Sequence, residues 1–116
     1  MPSELRRGCV VRVRLDPSEG REIRKTRPAV VVSNDAACRA DSVVQVVPCT
    51  SLPNRPLRPW EALIEPGSSG LAKPSRAVAN QLRTVSRGRL AKVLGRVSDD
   101  ELAGLDRAIR IQLGLG

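Results

Sequence analysis

The fold is decided by one short apolar run, Pro28-Ala29-Val30-Val31-Val32-Ser33. A continuous run of this kind, without polar alternation, is typical of a strand that is buried on both faces of its sheet. The run therefore predicts a central strand at residues 28–33. The polar residues that follow, Ser33-Asn34-Asp35, predict a turn.

The segment before this run predicts a strand with only one buried face. In residues 10–15, three apolar positions alternate with Arg12 and Arg14, and such alternation places the arginines on the exposed face. The connecting residues 16–26 are polar, charged and without period. Loops of this length are often functional, so this one is a candidate for the site.

Further strands are predicted on the C-terminal side of the central run. Residues 43–50, 61–65 and 77–82 have strand-like patterns, and residues 90–97 fit either a strand or a partial helix. Three prolines place residues 51–59 in a surface loop.

The last segment predicts a helix. Ser98 and Glu101 have the spacing of a capping box, in which each side chain accepts a hydrogen bond from the other residue's backbone amide. Gly114 is a natural helix end. Apolar residues recur at helical spacing between them: Leu102, Leu105, Ile109 and Leu113. Short strands followed by one helix predict a mainly β fold: a small, strongly curved β-barrel with a packed C-terminal helix.

The length and hydropathy of the chain indicate how many domains and membrane spans to expect. The chain has 116 residues, which predicts a single domain over residues 1–116. It contains no apolar run of about 18 residues, so no membrane span is expected. Residues 1–7 lack the apolar core of a secretory signal, so none is expected there either.

Two absences exclude whole classes of site. The chain has no His, which excludes a His-based triad, an RNase with paired histidines and a His-ligated metal. Trp60 is the only aromatic residue, so base stacking has a single candidate. The spacing of Cys9, Cys38 and Cys49 fits no zinc pattern. We expect reduced cysteines that pack in the core of a cytosolic protein.

The charge balance indicates a polyanionic partner. The formal net charge is +8, and the cations are seventeen Arg and three Lys. Arginine binds phosphate oxygens in a bidentate manner, which suits a nucleic-acid surface. Codon bias in a GC-rich genome would explain much of the preference for Arg over Lys, but it would not explain the net charge.

Polar residues that could carry chemistry lie at the ends of predicted strands. The segment Glu22–Pro28 brings three cations and one carboxylate to the start of the central strand. Thr50 with Ser51, and Asn80 with Gln81, end two other strands. Such residues often only complete turns. Taken together, they could also line one cationic groove.

Three ordered blocks of the chain resemble the MazF/PemK toxin family. The long first block is Gly20–Asp35 with its approach at residues 7–17, the second is Val46–Ser51 and the third is Ala79–Val85. The resemblance extends in order over residues 6–115.

This resemblance implies a compact SH3-like barrel of about five to seven strands, usually a homodimer. It implies a cytoplasmic toxin that cleaves single-stranded mRNA as an endoribonuclease, without a metal ion or other cofactor. The substrate's own 2′-OH is the nucleophile, and the products carry a 2′,3′-cyclic phosphate and a 5′-hydroxyl. A cognate antitoxin is expected to neutralise the toxin by laying a C-terminal segment along the RNA groove.

The resemblance also implies roles for individual residues. Arg27 is expected to neutralise the pentacoordinate phosphorane and to help the 5′-oxygen leave, although its guanidinium is a poor base. Thr50 is expected to donate a hydrogen bond to a non-bridging oxygen, and Glu22 to act as the general base if its loop folds over the site. RNA-binding roles are expected for Arg24, Lys25, Thr26, Ser51, Asn80 and Gln81.

The chain departs from the family at two of these positions. Asn80 stands where many relatives carry an acid, and Thr26 stands where some carry His. Because an amide cannot act as a base, the general base remains open. Two other functions also remain open: a gyrase-binding toxin resembling CcdB, and an SH3-like barrel that binds RNA without cleaving it.

Overall fold

A computed structural model describes residues 5–116. The first four residues lie outside this range; they belong to the predicted domain and to the N-terminal segment that was examined for a secretory signal. The described elements are β1 (Cys9–Arg14), β2 (Thr26–Val31), α1 (Asp35–Ala40), β3 (Val43–Ser51), β4 (Glu61–Ile64), β5 (Ser75–Val78), β6 (Arg83–Ser86), β7 (Leu90–Arg96) and α2 (Asp99–Leu113). Single 3₁₀ turns occupy Ala79–Gln81 and Arg87–Arg89.

The strands form one antiparallel sheet in the order β4-β5-β3-β2-β1-β7, with β6 also paired to β3. The central strand β2 contains the fully buried Ala29, Val30 and Val31, which confirms a buried central strand at the apolar run, although β2 begins at Thr26 and ends at Val31 rather than at Ser33. Within residues 5–116, the edge strands β4 and β7 do not pair with each other. The sheet is therefore open, and the closed barrel expected from the sequence is not observed.

Both faces of the sheet are covered by hydrophobic core. Val11 and Val13 of β1 are buried in one cluster, while the two arginines of the same strand are exposed, as the alternation predicted. Val10 lies in a second cluster, where Leu105 of α2 packs. Most of both faces is occupied in this way, so the strand ends and their loops remain accessible together with exposed strand positions such as Arg12.

The C-terminal helix begins and ends as predicted. The Ser98 hydroxyl accepts a hydrogen bond from the Glu101 amide at 3.1 Å, and the Glu101 carboxylate accepts one from the Ser98 amide at 2.9 Å. Gly114 follows with φ of +71°, a left-handed conformation that glycine adopts without steric cost. Leu105 is fully buried, but Leu113 is 54% exposed. The apolar stripe therefore packs over the first part of the helix and not over its last turn.

The strand predicted at residues 77–82 is wrong beyond Val78. Strand β5 ends at Val78, and Ala79–Gln81 form a 3₁₀ turn that is closed by a hydrogen bond from the Leu82 amide to the Ala79 carbonyl at 3.1 Å. The Ala79 amide donates to the Trp60 carbonyl at 2.8 Å, which holds the chain at this bend. Beyond the bend lies β6, a strand that the sequence analysis did not predict.

A short helix also replaces the turn predicted after the central strand. The Asn34 side chain accepts a hydrogen bond from the Ala37 amide at 2.9 Å and so caps α1, which is only six residues long. The ambiguous segment at residues 90–97 forms strand β7, which ends at Arg96.

The cysteines pack in the core as expected. Cys9, Cys38 and Cys49 are buried and form no disulfide. Burial raises the pKa of the Cys49 thiol to about 12, so this group remains protonated at neutral pH. No described helix has the length and apolar character needed to cross a membrane.

Candidate active site

Arg27 and Thr50 line one small cavity of about 190 Å³, which we call the Arg27–Thr50 cavity. Its lining comprises Arg27, Pro28, Cys49, Thr50, Ser51, Lys73, Pro74 and Ser75. Two of the residues to which the family resemblance assigns catalytic roles are thus brought together, although they are 23 positions apart in the chain.

The strand pairing explains why these residues meet. Strands β2 and β3 are antiparallel, with Ala29 opposite Pro48. The pairing ends there, and Arg27 and Thr50 lie two residues beyond it, each on its own strand. On its other edge, β3 pairs with β5, which places Ser51 opposite Ser75. Three strand ends therefore converge at this cavity.

A nearly buried carboxylate stabilises the same corner of the fold. The Glu61 side chain is 2% exposed and accepts hydrogen bonds from the Arg55 guanidinium at 2.8 and 3.1 Å, from the Arg58 amide at 2.8 Å and from the Arg76 guanidinium. Hydrogen bonds from Arg55 are the largest cause of the low pKa of Glu61, about 2. Arg76 in turn donates from Nε to the Ser51 carbonyl at 3.1 Å. This network ties the loop after β3 to the strand end that carries Thr50.

Glu22 does not join Arg27 and Thr50 in the cavity. Its carboxylate accepts a hydrogen bond from the Glu19 amide at 2.6 Å, and its own amide donates to the Glu19 carbonyl at 3.1 Å. Glu22 therefore closes a turn within the loop at residues 16–25. Its role as a general base stays a prediction.

Gln81 holds this loop against the 3₁₀ turn after β5. The Gln81 amide oxygen accepts a hydrogen bond from the Ile23 amide at 3.2 Å, and its nitrogen donates to the Arg21 carbonyl at 3.2 Å. Its neighbour Asn80 is exposed. Both polar groups of the Gln81 side chain are thus engaged by the loop, which gives Gln81 a positioning role; its contact with RNA stays a prediction.

Two of the predicted RNA-binding residues lie elsewhere. Lys25 and Thr26 line a larger cavity of about 750 Å³, the Lys25 cavity, together with Arg14, Asp16, Ser86, Gly88 and Arg89. Thr26 and Arg27 are consecutive in β2, and successive side chains of a strand point to opposite faces. Lys25 precedes them with φ of +67°, and its carbonyl accepts a hydrogen bond from the Leu15 amide at 2.8 Å. The predicted set is therefore divided between two faces of β2.

The only aromatic residue lies outside both cavities. Trp60 packs against the second hydrophobic cluster, and the Arg58 guanidinium lies 5.9 Å from the centre of its ring. One face of the ring is therefore covered by a cation, which fits a weak cation–π contact. Within residues 5–116, no group of three or more His, Cys, Asp or Glu side chains is placed to hold a metal ion.

Lys73 is the charged residue of the cavity that sequence reasoning missed. It lies in the β4–β5 connection, two residues before Ser75, in a segment without a recognisable motif. Its place beside Thr50 depends on the pairing of β3 with β5. A lone lysine close to a strand start is too weak a signal to predict that pairing.

Comparison with known proteins identifies the family of this chain. A family model described as "PemK-like, MazF-like toxin of type II toxin-antitoxin system" matches residues 6–113. The chain belongs to this toxin family. The predicted resemblance and the prediction of a toxin are thereby confirmed.

Individual relatives of this toxin agree with the family match. It is 40% identical over 116 residues to the protein named endoribonuclease MazF9 of Mycobacterium tuberculosis, covering 96% of this chain and 98% of the relative. MazF of Deinococcus radiodurans has a similar structure, with a TM-score of 0.79 and 27% identity, covering 95% of this chain and 96% of that one. A mycobacterial endoribonuclease solved in complex with its cognate antitoxin gives a TM-score of 0.78 and 25% identity over 97% of each chain.

Proposed function

We propose that this toxin is a sequence-specific, metal-independent endoribonuclease that cleaves single-stranded RNA, mRNA above all, and thereby inhibits translation and growth. The observation that carries the proposal is the common cavity of Arg27 and Thr50 at the converging strand ends. The family and the name of the 40% identical relative support it.

The proposed reaction needs no nucleophile from the protein. The substrate 2′-oxygen attacks the adjacent phosphorus, the bond from phosphorus to the 5′-oxygen breaks, and a 2′,3′-cyclic phosphate and a 5′-hydroxyl result. Arg27 stabilises the charge that builds up on the phosphorane, because its backbone lies at the start of β2 and its side chain lines the cavity. Thr50 donates a hydrogen bond to a non-bridging oxygen.

The 2′-OH must lose a proton, and Glu22 is the carboxylate proposed to accept it. For this role, its side chain has to release the Glu19 amide and move toward the Arg27–Thr50 cavity. Because Gln81 anchors the two neighbours of Glu22, Arg21 and Ile23, such a movement would be limited to the Glu22 side chain unless these hydrogen bonds break.

The RNA path extends beyond the cleaved bond. Ser51 lies in the cavity itself, Arg24 belongs to the loop before β2, and Asn80 and Gln81 belong to the 3₁₀ turn that holds this loop. Lys25 and Thr26 would contact RNA through the other face of β2. The net charge of +8 favours a phosphate backbone along this whole surface.

The wider assignments belong to the same proposal. They are a single domain over residues 1–116, an SH3-like arrangement of the strands, a homodimer, a cytoplasmic location, and function without a cofactor. A cognate antitoxin is proposed as the protein partner, since a structurally similar mycobacterial endoribonuclease was solved with its own antitoxin.

Incubation of the purified protein with a long RNA in excess EDTA tests the function. Cleavage with 5′-hydroxyl ends that a kinase labels directly is expected, and RNA with a 2′-deoxy residue at the cut should resist. Binding of the RNA without cleavage would indicate the RNA-binding module. Absence of both binding and cleavage would favour the gyrase-binding toxin. Cleavage of the deoxy substrate would refute attack by the 2′-OH.

Variants of the two central residues test the site. Arg27→Ala should slow the chemical step about 10²-fold or more, as expected for the loss of a preorganised donor. Arg27→Lys should restore little, because an ammonium cannot reproduce the bidentate guanidinium. Thr50→Ser should retain most of the activity, whereas Thr50→Val should not. The exposed Arg39 of α1 supplies the matched control, and Arg39→Ala should cleave at the unaltered rate.

A further inference from the structure

The reaction cavity holds a second cation besides Arg27. Lys73 lines the Arg27–Thr50 cavity, and these two side chains are the charged members of its lining. The two cations differ chemically, because a guanidinium keeps its protons in proteins whereas an ammonium can give one up. In a reaction that expels an alkoxide, the guanidinium can stabilise negative charge and the ammonium can donate a proton.

The loop that carries Lys73 is fixed to the neighbouring strand β7 by backbone contacts. A Cβ atom at Gly70, whose φ is +76°, would lie 2.1 Å from the Leu94 carbonyl oxygen, and a Cβ at Gly95 would lie 2.2 Å from the Ser68 carbonyl oxygen. The Arg96 amide donates to that Ser68 carbonyl at 2.7 Å. The β4–β5 connection therefore approaches β7 as closely as two glycines permit.

Hydrogen bonds within the loop complete this anchoring. Ser69 is fully buried; its hydroxyl donates to the Glu65 carbonyl at 2.6 Å and accepts from the Leu71 amide at 3.2 Å. On the other side, the Ser75 hydroxyl donates to the Lys73 carbonyl at 3.1 Å. The backbone is thus held before and after Lys73, and this limits the positions that its exposed side chain can reach.

We propose that Lys73 is a further catalytic residue of this toxin, the general acid that protonates the departing 5′-oxygen. The inference rests on the proposed endoribonuclease function. In the step, the bond between the 2′-oxygen and phosphorus forms and the bond between phosphorus and the 5′-oxygen breaks. One proton passes from Nζ of Lys73 to the 5′-oxygen, and the proton of the 2′-OH passes to Glu22. Lys73 regains its proton from water, and Glu22 releases its proton to water, after the products leave.

A substrate with sulfur in place of the scissile 5′-oxygen separates proton donation from charge stabilisation. A thiolate is a far better leaving group than an alkoxide and needs no general acid, since thiols ionise near pH 8.5. The cut sequence is first mapped by sequencing the 5′ ends of a long RNA digested by the wild-type protein. Oxygen and sulfur versions of one short RNA are then cleaved under single-turnover conditions.

Lys73→Ala should slow cleavage of the oxygen substrate about 10²-fold or more, within the usual range for general acid catalysis. The same variant should cleave the sulfur substrate within a few-fold of the wild-type rate. Lys73→Arg should keep RNA affinity without restoring the rate on the oxygen substrate. The matched control is Lys92→Ala, which removes an exposed lysine of β7 and should match the wild type on both substrates.

The opposite results are equally definite. An equal slowing of both substrates by Lys73→Ala would overturn proton donation and reduce Lys73 to a phosphate contact. Wild-type rates on both substrates would remove Lys73 from the reaction altogether. Thermal melting establishes that each variant is folded, and Lys73→Arg tests proton donation even if the alanine variant unfolds. Failure of the wild-type protein to cleave any RNA would instead refute the proposed function.

Discussion

Replacing Glu61 with Gln should destabilise this toxin by about 3 kcal/mol at pH 7. The substitution keeps the shape of the side chain and removes the charge that Arg55 and Arg76 surround. The pKa of Glu61 is lowered from 4.5 to about 2 in the folded state. At about 1.4 kcal/mol for each pKa unit, the charged form contributes roughly 3 kcal/mol to folding. For a chain of 116 residues, that free energy corresponds to a fall in Tm of about 12 °C.

The pH dependence makes this prediction specific. Because the pKa is lower in the folded state, the contribution is complete above pH 4.5 and is lost as the pH falls toward 2. At pH 3, the free energies of unfolding of the wild type and Glu61→Gln should differ by only about 1 kcal/mol. Other carboxylates titrate alike in both proteins, so they cancel in the difference.

Urea unfolding followed by circular dichroism at pH 7 and pH 3 measures both values. Glu65→Gln is the matched control, since Glu65 is exposed. Its free energy of unfolding should differ little from that of the wild type at both pH values. A difference for Glu61→Gln below 1 kcal/mol at pH 7, or one of equal size at both pH values, would refute the ion-pair reasoning.

Three further perturbations separate packing from function. Ser98→Ala removes the cap of α2 and should cost about 0.5–2 kcal/mol in urea unfolding, while the cleavage rate of the folded protein stays unchanged because α2 lies in the core. Gln81→Ala releases the loop from the Ile23 amide, so proteolysis within residues 16–25 should accelerate while Tm changes little; unchanged proteolysis would contradict the anchoring role. Gly95→Ala places a methyl group 2.2 Å from the Ser68 carbonyl, so a large loss of Tm is expected, and a protein of wild-type Tm would show that the loop is not fixed there.

The elements that the sequence predicted well are those with local causes. The apolar run at residues 28–33, the alternation around Arg12 and the capping box at Ser98 each depend on neighbours within a few positions. Strand β6 and helix α1 were missed because four to six residues carry too little periodicity. Their form is decided by partners distant in sequence, such as β3 for β6.

The residues of the candidate site follow the same rule: those in a local motif were predicted, and those placed by distant partners were not. Arg27 and Thr50 were found because each belongs to a recognisable block, and the structure brings them together. Lys73 belongs to no such block and reaches the cavity through the pairing of β3 with β5. The hydrogen bonds of Glu22 and Gln81 to their own loop could not be predicted either, since a polar side chain in a motif gives no sign of which partner it selects.

The pairing of β3 with several strands has a consequence for how activity is lost. The first part of β3, Val43–Val46, pairs with β6, whereas only its last three residues, Cys49–Ser51, pair with β5. Detachment of the β4–β5 hairpin would break this short ladder and the contacts of Ser68 and Gly70 with β7, while the ladder from β6 to β7 stays paired. Such a partial opening would separate Lys73 from Thr50, so the toxin can become inactive well before it becomes unfolded.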